Sequence, residues 1–128
     1  MANPNIIDVT SIHGKTSHKH LTTDSEPLLQ NVLGSNSVYK INTVLVSNSN
    51  GSINADVSLV YYDKNIEDGS YIAKIREVLA DSTLVLISKD ISLYLEENCD
   101  LKIFASANGN LDATISYEVI SWRNDWVH

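Results

Sequence analysis

The stretch Val38-Tyr-Lys-Ile-Asn-Thr-Val-Leu-Val-Ser47 decides how the rest of the chain is read. Successive side chains of an extended backbone point to opposite faces, so Tyr39, Ile41, Thr43 and Leu45 share one face. Lys40, Asn42, Val44 and Val46 share the other. The second half is apolar on both faces, the pattern of a strand covered on both sides. The turn Ser47-Asn-Ser-Asn-Gly-Ser52 then supplies residues that tolerate positive φ, and Ala55, Val57, Leu59 and Tyr61 resume the alternation. The sequence predicts a hairpin across this turn.

The same period of two recurs outward from it. Tyr71, Ala73 and Ile75 alternate with Ile72, Lys74 and Arg76, and Thr83 to Ser88 is a continuous run of β-branched residues and leucine. Ile91, Leu93 and Leu95, then Leu101, Ile103 and Ala105, mark two further half-buried strands. Ala107-Asn-Gly-Asn110 carries an Asn-Gly pair, a strong hairpin signal, with Ala113, Ile115, Tyr117 and Val119 as the returning inward face. Two short segments, Glu26 to Leu33 and Ile75 to Ala80, are compatible with a helix. Pro27 is tolerated in a first turn and Asp24 or Ser25 can cap it, but a strand is preferred there. Six to eight strands spaced by roughly ten residues leave no room for crossover helices. The expected fold class is all-β, a single antiparallel β-sandwich or jelly-roll-like domain.

A chain of 128 residues is long enough for one core. It divides into an N-terminal arm, 1–20, a sandwich domain, 21–121, and a C-terminal tail, 122–128. Ile6, Ile7, Val9 and Ile12 on the arm, with Trp122 and Trp126 on the tail, are more hydrophobic than free ends usually are. They are the candidate assembly contacts, docking either on their own domain or on a neighbouring subunit.

Composition excludes several functions. A net charge of −7 repels a nucleic-acid backbone. No apolar run is long enough for a membrane span, and residues 1–11 lack the basic and apolar regions of a secretory signal. Cys99 is the only cysteine, which rules out an internal disulfide or a Cys-x-x-Cys pair. Its acidic neighbours raise a thiol pKa, so it reads as an ordinary small residue.

No phosphate-binding glycine loop, Gly-x-Ser-x-Gly elbow or His-Glu-x-x-His motif occurs. His18 and His20 project to one face of a strand, and Asp24 is the available third ligand, but exposed histidines at this spacing read as polar surface. Glu67-Asp68 and Glu96-Glu97 with Asp100 lack calcium-loop spacing and read as solvated turns. Asp56 reads as an edge-protecting charge. Asn50-Gly-Ser52 matches a glycosylation sequon, which means little without a secretory signal. Tyr62, Tyr71, Tyr94 and Phe104 can line a sugar-binding face, whereas Tyr61 and Tyr117 fall on apolar strand faces. No catalytic residue, cofactor or metal is assigned, and the chain is expected not to be an enzyme.

Several phrases carry a resemblance: Asn5-Ile-Ile-Asp-Val-Thr-Ser-Ile-His-Gly-Lys-Thr16, Tyr39-Lys-Ile-Asn-Thr-Val-Leu-Val-Ser-Asn48 and Asn54-Ala-Asp-Val57. Ala80-Asp-Ser-Thr-Leu-Val-Leu-Ile-Ser-Lys-Asp90, Ser92-Leu-Tyr-Leu-Glu-Glu97 and Ile115-Ser-Tyr-Glu118 extend it over most of the chain. Together they resemble the small virion structural proteins of tailed phages that infect cyanobacteria and other aquatic bacteria. These are strand and turn phrases, so the resemblance implies a particle component and transfers no chemistry. The polar, histidine-rich stretch from Ser17 to Gln30 and the tryptophan-bearing tail depart from it.

The resemblance implies a capsid decoration or cement protein bound to the head surface, made in the bacterial host cytoplasm and located in the virion. A neck, tail or fibre component is the alternative. The implied partners are the major capsid protein or neck and tail proteins, with further copies of the chain as a homo-oligomer on the particle, and neither nucleic acid nor membrane. A carbohydrate- or receptor-binding module is the reading from a different class.

Overall fold

Val38 to Ser47 lies inside a twelve-residue strand, β3 (Ser37–Asn48), in the computed structural model, which describes residues 9–91 and 93–122. Ser37 and Ile41 point into the core, and further along Val44, Val46 and Asn48 do. The phase changes because Ile41 pairs with Tyr117 and Thr43 with Ser116, leaving Asn42 as an extra residue. A bulge of this kind shifts the inward set by one position. For that reason Ile41 does not share its face with Thr43 and Leu45 as the simple alternation predicts.

Before β3 come β1 (Val9–His20) and β2 (Glu26–Asn31). After it come β4 (Ala55–Asp63), β5 (Asp68–Val78), β6 (Thr83–Ile87), β7 (Leu93–Leu95), β8 (Cys99–Ala105) and β9 (Leu111–Trp122). One sheet runs β1-β9-β3-β6, with β7 continuing along the β6 side of β3, and the second runs β2-β8-β4-β5. Every pairing is antiparallel. The pairings are nested: β4 with β5, β3 with β6 and β7, β2 with β8, β1 with β9. The chain is one long hairpin rolled into two facing sheets, which is the jelly-roll form of the β-sandwich. Among the described residues there are nine strands where six to eight are expected, because β6 and β7 share one edge and residues 9–20, set apart as an arm, form β1. Trp122, assigned to the tail, is the last residue of β9.

Two predicted hairpins prove to be corners. The turns between β3 and β4 and between β8 and β9 carry the chain from one sheet to the facing one. Inward alternation looks the same whether a turn folds back within a sheet or crosses the roughly 10 Å to its partner. A true hairpin joins β4 to β5, where Asp63 pairs with Asp68. Both helix-compatible segments are extended: β2 pairs with β8, and β5 continues to Val78. Among the described residues there is no helix, and hence none long and apolar enough to cross a membrane. Asp56 sits on β4 between β8 and β5 and pairs with Glu77, so it guards no edge.

The core is the space between the sheets. Leu59, Leu101 and Ile103 from one face Val44, Val46 and Ile115 from the other, each no more than 1% exposed. Full burial of such side chains stabilises by about 1.5–3 kcal/mol each. Two buried asparagines fasten opposite ends. Asn31 Nδ2 donates to the carbonyls of Ser37 and Leu95, both at 2.9 Å, and its Oδ1 accepts from Ser35 Oγ. Asn48 Nδ2 donates to the carbonyls of Ile53 and Val78, at 2.9 and 3.1 Å, while its Oδ1 accepts from Asn50 N–H. Each tie crosses from one sheet to the other or its connecting loop, so the buried amide is itself hydrogen-bonded.

Candidate assembly surface

A two-sheet sandwich leaves four strand edges, here β1 and β6/β7 in one sheet, β2 and β5 in the other. Lys19 on β1 pairs with Glu26 on β2 at 3.2 Å, which places these two edges on one side. β5 and β6 lie together on the opposite side. That side carries five of the twelve large hydrophobic residues exposed among the described residues. Tyr71, Ile72 and Ile75 on β5, Leu79 beyond it and Val85 on β6 are all more than a third exposed. Exposed apolar residues gathered on one side mark interaction surfaces, whereas singly scattered ones do not.

The backbone of β5 is irregular along this side. Its register against β4 slips twice, and Ile75 adopts φ 51°. A β-branched residue in the left-handed region is strained and needs local support. Here the N–H of Ile75 donates to Oγ of the buried Ser58 at 3.0 Å. Beside it, Asp56, Ser58, Ile75, Phe104, Ala105 and Ser106 line a groove of about 210 Å³. The aromatic rings outside the groove are paired with lysines: Lys102 Nζ lies 4.4 Å from the Tyr62 ring centre and Lys74 Nζ 5.2 Å from that of Tyr71. Such contacts hold a lysine over a ring face by about 0.5–1 kcal/mol.

Of the candidate assembly contacts, Val9 and Trp122 are cross-strand neighbours at the end of the β1/β9 ladder, and Ile12 pairs with Ile120 beside them. Ile12 is 60% exposed. Ile6, Ile7 and Trp126 lie outside the described residues. The structure therefore gathers one arm pair and one tail residue at a single corner of the larger sheet.

The titratable groups are arranged for structure. His18 and His20 do share a face, their ring centres 6.5 Å apart, but the carboxylate beside them is Asp112, whose Oδ1 is 2.5 Å from His20 Nδ1. Asp24 has no contact with either ring among the described residues, and no group of three or more such ligands there is placed to hold a metal. Glu97 is more than a solvated turn residue: its Oε2 accepts from Gly34 and Asn36 N–H, both at 3.0 Å. Asp100 is almost wholly buried, with Lys64 Nζ 3.4 Å from Oδ2 and no partner at Oδ1 among the described residues. Cys99 opens β8 inside the core, where burial and the nearby Asp63 carboxylate push its thiol pKa up. Burial likewise raises Tyr61, whose hydroxyl donates to the Tyr94 carbonyl, and Tyr117. Sequence reasoning missed Asn31 and Asn48. Their signal was a polar residue standing in phase with buried neighbours, Leu29 before Asn31 and Val46 before Asn48.

No family model matches the chain, and no curated protein does. Among solved structures it is similar to a chain of the Bacillus endospore appendages, a family of disulfide-linked pili. The likeness has 10% identity, covers 96% of this chain and 98% of that one, and reaches a TM-score of 0.50. It is also similar, at 12% identity and a TM-score of 0.30, to the CBM22-1 and GH10 modules of Clostridium thermocellum xylanase 10B complexed with xylohexaose. That second likeness covers 88% of this chain and 26% of the other, and at this score it carries no argument. The first shows the fold: the chain is a two-sheet β-sandwich of the kind from which that appendage is built.

Proposed function

We propose that the chain is a non-enzymatic structural subunit of a larger particle, and that the particle is the virion of a tailed phage. There it decorates the head surface as a cement protein, with the major capsid protein and further copies of itself as neighbours; neck, tail or fibre is the other location. The observation that carries this reading is the apolar β5/β6 side, which is left exposed on an otherwise well-packed sandwich and finds cover only in an assembly. The virion itself is suggested by the sequence resemblance. The appendage likeness adds a precedent for this fold as a repeated building unit. Assembly differs from disulfide-linked pili in one respect, because Cys99 is held in the core and offers no thiol to a neighbouring folded copy.

Quantitative mass spectrometry of gradient-purified virions tests the reading. A copy number comparable with that of the major capsid protein fits a head decoration, and a much smaller fixed number fits the neck, tail or fibre. Absence from the particles overturns both.

A second reading rests on the groove at Phe104, with Tyr62 and Tyr71 on the same outer sheet face. Aromatic residues beside a mostly apolar cleft with Asp56 and Ser106 at its wall suit a carbohydrate or receptor. Glycan binding that is lost in Phe104→Ala, with folding intact, is its expected signature; no glycan binding by the full chain removes it.

A further inference from the structure

The four strand edges are not equally protected. On β2 the register slips between Pro27 and Leu29, on β5 it slips twice, and β6 slips where Val44 and Leu45 meet Ile87 and Val85. β7 is three residues long. Bulges, prolines and short length are among the devices that keep an edge from pairing with another strand, and edge charges are another. β1 lacks the first three over most of its length: from Ser11 to His20 it runs in unbroken register against β9.

The free side of β1 can be assigned residue by residue. Leu21 N–H donates to the Leu111 carbonyl at 2.9 Å, one step beyond the His20 and Asp112 pair. In an antiparallel ladder the hydrogen-bonded pairs alternate, so odd-numbered residues from 11 to 21 spend their backbone groups on β9. The even-numbered residues Ile12, Gly14, Thr16, His18 and His20 turn their N–H and C=O groups outward. A Cβ built on Gly14 would meet nothing within 4 Å, so the sheet face over the middle of this strand is open among the described residues.

The edge also has a charge of its own. Residues 9–20 contain Lys15, Lys19 and three histidines and no acid, in a chain of net charge −7. Lys19 and His20 are matched internally by Glu26 and Asp112, whereas His13 and Lys15 make no ion pair or hydrogen bond among the described residues. A second copy placing β1 against β1 would set basic residues opposite basic ones, which is destabilising for directly opposed like charges. The remaining edges of a second copy are bulged or short.

We infer that the outer edge of β1 is a strand-addition site for an extended, acidic segment of a partner protein, which continues the larger sheet through the outward groups of residues 12 to 20. Main-chain hydrogen bonds hold such a segment, and its Asp or Glu side chains opposite His13 and Lys15 select it. The inference rests on the reading of the chain as an assembly subunit only for the origin of the segment. Peptide binding in the absence of any particle reads the edge alone, and counting copies in virions reads the assembly alone, so either can fail without the other.

The test is residue-resolved amide hydrogen exchange on the full chain, with two capped ten-residue probes, one alternating threonine with glutamate and one alternating threonine with lysine. In the free chain the amides of the even-numbered residues from 12 to 20 exchange fast and those of the odd-numbered residues are protected. The glutamate peptide slows the even-numbered set at least tenfold at saturation, and the lysine peptide leaves it unchanged. Thr16→Pro removes one outward N–H without touching the β9 ladder and weakens the glutamate peptide at least tenfold. Lys15→Glu, a surface change, shifts the preference toward the lysine peptide. Absence of protection by the glutamate peptide, or equal protection by both, overturns the inference. So does protection of the even-numbered amides in the free chain that grows with protein concentration, which would mean that a second copy occupies the edge.

Discussion

At the scale of single residues, the polar groups inside the core decide more than their number suggests. Asn31 and Asn48 each donate two hydrogen bonds to backbone carbonyls inside the fold. Replacing either with Ala removes those hydrogen bonds from the interior, at a cost of roughly 2–4 kcal/mol. Asn31→Asp is expected to be as damaging as Asn31→Ala, because it removes the same donor, and urea unfolding of the three variants measures the difference. Their one mark in the sequence is a polar residue in phase with buried apolar neighbours, and the partners themselves, carbonyls of other segments, are not legible there. The buried titratable groups set an alkaline limit. Cys99, Tyr61 and Tyr117 have pKa values raised in the fold, chiefly by burial. The folded state therefore holds these protons more tightly than the unfolded chain. Their contribution is complete below the unfolded values of 9.0 and 10.0 and is lost as pH rises past them. The urea midpoint should be flat from neutral pH to about 8.5 and then fall. The fall should be shallower in Tyr61→Phe combined with Cys99→Ala, and a midpoint that rises above pH 9 contradicts the assignment.

At the scale of elements, β3 shows how one residue organises twelve. Asn42 is the bulge that lets Ile41 and then Val44, Val46 and Asn48 all reach the core. Its deletion closes the bulge and leaves Ile41, Val44, Val46 and Asn48 in plain alternation, so the same residues stay inward. A cooperative thermal transition by circular dichroism is expected to survive both this deletion and Asn42→Ser, and its loss in the deletion variant would contradict the assignment of Asn42 as the bulge residue. Most strands were legible in the sequence, because period-two alternation survives in each of them. Their connections were less so. Ser47 to Ser52 and Ala107 to Asn110 carry turn residues that suit a hairpin and a corner equally, and only the pairing of β4 with β8 and of β9 with β3 separates the two. β1 was read as an arm because its one apolar face is thin: residues 13–20 hold no large hydrophobic side chain. Removing residues 1–20 uncovers the β9 edge and should give an aggregating chain, as size-exclusion chromatography would show.

At the scale of the whole molecule, nested pairing gives a rigid body whose two sides differ in character, one basic and polar along β1, the other apolar along β5 and β6. That difference was only partly visible beforehand. Ile72, Ile75 and Val85 look like core residues in a linear reading, and their exposure follows from standing at the sheet edge with no strand or helix to cover them. A body with two unlike sides suits a part that joins different neighbours on each. The most direct measurement is cryo-electron microscopy of the intact phage particle proposed to contain the chain. The account predicts jelly-roll density on the head surface, or failing that at the neck, tail or fibre, with the β5/β6 side buried against a neighbouring subunit. Particles with no such density, or density in which the β5/β6 side faces solvent throughout, would contradict it.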